Sequence, residues 1–363
     1  MTTPTREKSG ADGAEATCEA YGCRLCPHTL RGVEKHVAVV GAGSWGTTVA
    51  NAVGTNHATM LWARRQELAE KIAKTHQNSD YLPGINLAPS LQCSSNLEQV
   101  VANAAVVMMA VPSNGFRDVT SEVAKYVERN VPIVSLAKGL ERESLQRMTQ
   151  VIGELLPTNP VAVLTGPNLA HEILAGQPAA TVVACGDEIV AKQIQKIVTN
   201  ATMRVYTNED VIGCEIAGVV KNVIAIAAGI VEGMGFGDNS KATLITRGLA
   251  EMSRLGVALG ANPKTFMGLA GLGDVVATCA SAKSRNSAVG VRLGRGESIQ
   301  EITQSMSMVA EGVRSSLSVL QLAQRCKIEM PITEQVAAVC EGSISATDAL
   351  GQLMSRAIKS EFY

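Results

Sequence analysis

HVAVVGAGSWGTTVAN, residues 36–51, takes four apolar residues, Val37 to Val40, directly into Gly41-Ala42-Gly43-Ser44-Trp45-Gly46. An apolar run before G-x-G-x-x-G and a small-residue helical pattern after it predict a strand, a tight turn and a helix. In that setting Gly41 permits the turn, Gly43 lets a pyrophosphate approach the backbone, and Gly46 lets helix and strand pack closely. Free N–H groups at the positive end of the helix, from Ser44 onward, then face the phosphate charge. The hexapeptide alone also suits a structural Gly-rich turn; its strand-to-helix setting selects dinucleotide binding.

The same alternation continues to about Tyr206. Apolar runs at Val37–Val40, Thr59–Trp62, Ala105–Val111, Pro132–Leu136, Val161–Leu164, Thr181–Cys185 and Met203–Tyr206 are separated by amphipathic stretches such as Gln66–Lys74 and Glu188–Thr199. This predicts an α/β fold, a Rossmann-like doubly wound parallel sheet over residues 33–208. Past Asn208 the β-branched runs stop, and an all-α substrate domain is expected over 209–363. Its Asp210–Val231 stretch is apolar almost all round, the mark of a centrally buried helix. Lys221 sits in the middle of that stretch, which is costly unless the charge is partnered or functional. Residues 1–32 show neither period and read as a flexible extension.

At 363 residues, 46% hydrophobic and 18% charged, the chain suits a soluble globular protein with two cores. A net charge of −1 supplies no basic field for nucleic acid. No apolar run is expected to reach the length of a membrane span and no secretory signal is seen, so the cytoplasm is the expected location. The nine cysteines are mostly in apolar surroundings. The exception, Cys18, Cys23 and Cys26 with His28, is similar in spacing to an iron–sulfur or zinc set, but no second pair follows and no metal site is expected.

Polar residues at the ends of the buried runs supply the candidate chemistry. At the end of the second strand an NAD-selective site wants a carboxylate for the ribose. Here Arg64 and Arg65 stand instead, suited to a 2′-phosphate; the plain alternative is a solvated helix start. Lys138, at a strand end, reads either as a surface charge or as a rim ligand, and Gly166 and Asn168 end another strand on that rim. Asp274 follows Gly268-Leu269-Ala270-Gly271-Leu272-Gly273, and Ser284-Arg285-Asn286 comes soon after. His171-Glu172 lacks the second His of a zincin, and neither a nucleophile elbow nor a Walker loop is present. Hydride transfer with a lysine acid is the simplest chemistry left.

Seven blocks in register give the chain its resemblance: GAGSWGT from Gly41, SLAKGLE at 135–141, GPNLAHEI at 166–173, AGVVKNVIAIAAG at 217–229, GLAGLGDVVATC at 268–279, SRN at 284–286 and VAEGV at 309–313. In these it resembles the NAD(P)-dependent glycerol-3-phosphate dehydrogenases, over about Val37 to Pro331. The resemblance implies NADPH or NADH as cofactor and dihydroxyacetone phosphate and sn-glycerol 3-phosphate as substrate pair, for phospholipid precursor supply. It implies that Ser44, Trp45, Arg64, Arg65, Lys138, Ala170, Arg285, Val309 and Glu311 meet the cofactor. Lys138, Gly166, Asn168, Asn222, Thr278, Ser284, Arg285 and Asn286 then meet substrate, Lys221 is the general acid/base and Asp274 its polar partner. Many bacterial members have Ser in place of Asn168, so that contact runs through an amide here. The family also implies a homodimer; for the N-terminal extension it implies nothing. The alternatives are a related two-domain reductase of a β-hydroxyacid or of ketopantoate, and a cofactor-binding regulator without catalysis. The Ser-Arg-Asn block argues against the first, and retention of Lys221 with Asp274 against the second.

Overall fold

In the computed structural model, which describes residues 35–306, 310–358 and 360–361, the apolar runs line up as one eight-stranded sheet. The strands are β1 His36–Val40, β2 Thr59–Trp62, β3 Leu91–Ser94, β4 Ala104–Met109, β5 Ile133–Ser135, β6 Val161–Thr165, β7 Ala179–Ala184 and β8 Met203–Asn208. Their order is β3-β2-β1-β4-β5-β6-β7-β8. The chain therefore moves outward from β1 to β3, then returns to β1's other side with β4. That reversal opens a crevice beyond the carboxyl ends of β1 and β4, where ligands of open α/β sheets sit.

Alternate residues of β1 serve different cores. Val37 and Val39 pack with Val49, Leu61 and Met108 on one face. Ala38 and Val40 pack with Met109, Phe116 and Ile152 on the other. A strand buried on both faces has no polar alternation to show, so β1 reads in the sequence as a continuous apolar run.

Two expectations for the sheet need correction. It is not wholly parallel: β7 pairs antiparallel with β6, and β8 runs parallel to β7. The link from Gly166 to Pro178 carries only the short helix Ala170–Leu174, too little to return the chain to the starting end of β6. The eighth strand, β3, is an edge strand with one buried residue, Leu91, and so lacks an apolar run.

Beyond β8 the fold is helical around Val211–Gly233, in which every residue from Gly213 to Val231 is buried. Contrary to the sequence reading, this helix is long and apolar enough to cross a membrane, but 89% of its apolar window is buried inside the protein. It is the core helix of the helical half. Helix Arg285–Gly294 lies against it backbone to backbone: a Cβ on Gly229 would come 2.2 Å from the Ser287 carbonyl oxygen, and one on Gly290 would come 2.1 Å from that of Ile226. Backbone on both sides leaves nothing soft to move. Gly290→Ala is accordingly expected to cost about 3 kcal/mol, as in a severely overpacked core. A urea midpoint unchanged by that substitution would show that the helices can separate freely.

Sheet and helices belong to one compact unit, His36–Tyr363. Cys18, Cys23, Cys26 and His28 lie outside the described residues.

Candidate active site

The three glycines of the turn are bare for different reasons. Gly41 has φ +118°, and a Cβ there would lie 2.7 Å from the Ala110 carbonyl oxygen, at the end of β4. A Cβ on Gly46 would lie 2.0 Å from the Gly41 carbonyl oxygen and 2.7 Å from the Ala110 Cβ. The protein's own packing thus demands both. Around Gly43, by contrast, nothing stands within 4 Å of an added Cβ. Helix Ser44–Gly54 starts there with no side-chain cap and no acid in its first turn, leaving N–H groups for an anion. Trp45 adds a buried indole N–H with no partner among the described residues. Helix Ala170–Leu174 packs against the same helix, which brings Ala170 to it. This cradle fits the pyrophosphate of a dinucleotide.

Arg64 and Arg65 follow β2 and are both exposed. Arg65 is engaged: its Nη2 lies 2.5 Å from Asp80 Oδ2, and Asp80 is also 3.3 Å from Lys71 Nζ. Arg64 makes no ion pair among the described residues. Of the two guanidiniums, Arg65 is therefore held from the side by Asp80 and Arg64 is not.

On the same rim, past the ends of β5 and β6, two lysines share one carboxylate. Lys138 Nζ donates to Asp274 Oδ2 at 2.5 Å and to the Gly166 carbonyl at 3.0 Å. Lys221 Nζ donates to Asp274 Oδ1 at 3.0 Å and to Thr278 Oγ1 at 2.8 Å. Thr278 in turn donates to the Asp274 backbone carbonyl at 2.6 Å. Asp274 is 2% exposed and Lys221 8%, whereas the Lys138 side chain keeps 15%. The π-helical turn Leu269–Gly273 delivers Asp274 to this place, and Asp210 steadies that approach by accepting from Thr265 Oγ1 and the Asn262 N–H. The Lys138 stem crosses the central helix over Gly218, where a Cβ would stand 3.4 Å from its Cγ.

Burial pushes Lys138 down to about 8 and the neighbouring Lys221 charge adds to that, while Asp274 opposes it. Burial alone would raise the Asp274 carboxyl, but the Lys138 and Lys221 ammoniums outweigh it and hold the group below the usual carboxylate range. Glu311, which opens helix Glu311–Arg325, is pushed up by burial against the pull of Arg285, Lys221 and Lys138.

A second chain of bonds frames the lysines. Asn222 Nδ2 donates to the Lys138 carbonyl at 3.4 Å, Asn286 Nδ2 donates to Asn222 Oδ1 at 2.9 Å, and the Gly312 N–H donates to Asn286 Oδ1 at 3.0 Å. Ser284 caps helix Arg285–Gly294 by accepting from the Ser287 N–H at 3.2 Å. Of the Ser-Arg-Asn block, Ser284 and Asn286 are thus buried and bonded within the protein, while Arg285 is exposed. Asn168 donates to Thr181 Oγ1 at 3.0 Å, and its Oδ1 is buried without a partner among the described residues. Val309 lies outside the described residues.

One candidate passed over in the sequence is Thr165, whose buried hydroxyl also lacks a partner among the described residues and stands 3.2 Å from where a Gly218 Cβ would be. Its place at the end of β6, next to Gly166, was the available signal. A further buried carboxylate, Glu215, accepts from Arg147 Nη1 at 2.5 Å and from the Thr149 N–H at 2.9 Å. It anchors the segment after Lys138 to the central helix.

Family models of the NAD-dependent glycerol-3-phosphate dehydrogenase N-terminus and C-terminus match residues 36–191 and 210–351. The chain is 51% identical over 325 residues to a Sphingopyxis alaskensis protein named glycerol-3-phosphate dehydrogenase (NAD(P)+) 2, covering 90% of this chain and 98% of that one. The glycerol-3-phosphate dehydrogenase crystal structure from Coxiella burnetii superposes with a TM-score of 0.85 at 34% identity, covering 89% of this chain and 99% of that one. A ketopantoate reductase from Ralstonia eutropha superposes with a TM-score of 0.57 at 16% identity, covering 86% and 99% of the two chains, which is a likeness of fold.

Proposed function

The chain belongs to the NAD-dependent glycerol-3-phosphate dehydrogenase family, and we propose that Lys221 is its proton donor, with Asp274 aiming it. The enzyme interconverts dihydroxyacetone phosphate and sn-glycerol 3-phosphate with NAD(P)H. The observation that carries the assignment of roles is the Asp274 carboxylate shared by Lys138 and Lys221.

A bound nicotinamide supplies the hydride. As the ketone is reduced, charge develops on its oxygen, and an ammonium placed there stabilises the charge and gives up a proton. Lys221 has three N–H bonds; Asp274 and Thr278 take two, leaving the third for that oxygen. Lys138 is held in the same manner by Asp274 and Gly166, and its remaining N–H serves the substrate or the cofactor. Gly41, Gly43, Ser44, Trp45 and Gly46 cradle the pyrophosphate, and Ala170 and Glu311 close that side. Asn168 and Thr278 border the substrate, and Asn222 and Asn286 hold the frame around it, with Ser284 capping the helix that presents Arg285. The proposal extends to a homodimer working in the cytoplasm, to be checked by sedimentation and cell fractionation.

Arg285, exposed at the start of its helix, is assigned to the substrate phosphate. Arg285→Ala is expected to raise KM for dihydroxyacetone phosphate tenfold or more, since a hydrogen bond to a charged group is worth about 1.5–3 kcal/mol. An unchanged KM would give the phosphate to another residue. Arg64 is assigned to the 2′-phosphate, so NADPH is expected to serve at least as well as NADH. Arg64→Ala is expected to weaken NADPH about tenfold and spare NADH; a strong NADH preference in the unaltered enzyme removes that role.

The assay for the whole reading is NADPH oxidation with dihydroxyacetone phosphate, run beside glyoxylate and ketopantoate. Turnover of the phosphorylated ketone alone is expected. Faster turnover of either control would move the chain to the related reductases.

A further inference from the structure

The back of the glycine turn is held by a side chain that no sequence pattern marks. Asn78 follows helix Gln66–Thr75 and is 0% exposed. Its Nδ2 donates to the Ala42 carbonyl at 2.9 Å and to Thr47 Oγ1 at 2.8 Å. Ala42 lies inside the turn and Thr47 one residue past it, so a single amide bridges the two ends of the segment that carries Gly43. Asn78 is itself fixed, because its backbone carbonyl accepts from the Tyr81 and Leu82 N–H groups at 3.2 and 2.7 Å, and Leu82 is fully buried. Its Oδ1 is buried with no partner among the described residues, so the side chain's hydrogen bonds there are directed at the turn.

The turn needs such a brace. Its front is open at Gly43, no side chain caps the helix, and Gly41 adopts a φ that glycine alone visits freely. In front, among the described residues, the segment has only the helix's own first bond, from the Thr47 N–H to the Gly43 carbonyl at 2.9 Å. We propose that Asn78 is a positioning residue for the cofactor: by fixing Ala42 and Thr47 from behind, it sets the aim of the N–H groups at 43–46 without touching the dinucleotide. This rests on reading the turn as the dinucleotide site.

The test uses the full chain with Asn78→Ala and with Thr47→Val, which removes one acceptor and leaves the backbone intact. Three readouts apply below the melting temperature of each variant: NADPH affinity by fluorescence titration, adenosine 2′-phosphate affinity, and amide exchange at 43–46 in the cofactor-free protein. Asn78→Ala is expected to weaken NADPH tenfold or more, to leave adenosine 2′-phosphate unchanged because it carries no pyrophosphate, and to speed exchange at 43–46. Thr47→Val is expected to weaken NADPH severalfold, and the two effects to combine less than additively, as for residues sharing one bond. If Asn78→Ala does not fold, Thr47→Val alone decides. Folded variants with wild-type NADPH affinity and wild-type exchange overturn the proposal. A wild-type protein that fails to bind NADPH would overturn the dinucleotide reading of the turn and this proposal with it.

Discussion

Lys221→Ala is expected to lower kcat by about a hundredfold or more, the usual scale of general acid–base help, while NADPH affinity stays near its original value. Lys221 lies on the central helix, in a run where every neighbour from Gly213 to Val231 is buried. Its ammonium is reached by Asp274 and Thr278 alone among the bonds within the described residues. Truncation removes the one N–H that remains for the carbonyl oxygen and leaves the glycine turn untouched. Steady-state kinetics with a separate cofactor titration distinguishes the outcomes: a near-normal kcat removes Lys221 from the role, and a collapse of both numbers points to misfolding.

Asp274→Ala is expected to damage stability as well as rate. The carboxylate is the shared partner of two ammoniums in a largely buried pocket, and removing one side of a buried pair typically costs about 3–5 kcal/mol. The loss is expected to depend on pH with a definite sign. In the intact protein burial already holds Lys138 at about 8; without Asp274 it falls further. The folded variant then binds fewer protons than its unfolded chain, so its stability rises with pH. Urea midpoints at pH 7 and pH 9 are expected to show a large deficit that shrinks at the higher pH. A deficit equal at both would mean that the lysine charges do not cause it.

The features legible in the sequence are those with a local cause. The Gly41–Gly46 turn was readable because a strand, three glycines and a helix are adjacent in the chain. The central helix was readable because it is apolar on every side. What escaped depends on partners distant along the chain. The bond from Asn78 to Ala42 spans 36 positions, and that from Lys138 to Asp274 spans 136. Lys138, Lys221 and Asp274 were each visible as polar residues in costly or Gly-rich settings, but only the family resemblance joined them before the fold did. Arg65 looked free because its counter-ion, Asp80, lies 15 positions on in a loop with no periodicity. The direction of β7 was hidden for another reason, since a short link after β6 decides it and β7's own residues do not.

Chemical rescue of Lys221→Ala tests the central claim most directly. If the missing group is an ammonium at the carbonyl oxygen, adding ethylammonium is expected to raise the rate of NADPH oxidation with dihydroxyacetone phosphate, saturably, and to do so in this variant while leaving the unaltered enzyme unaffected. A rate that stays flat, in a variant that still binds NADPH and melts as the unaltered enzyme does, would contradict Lys221 as the proton donor.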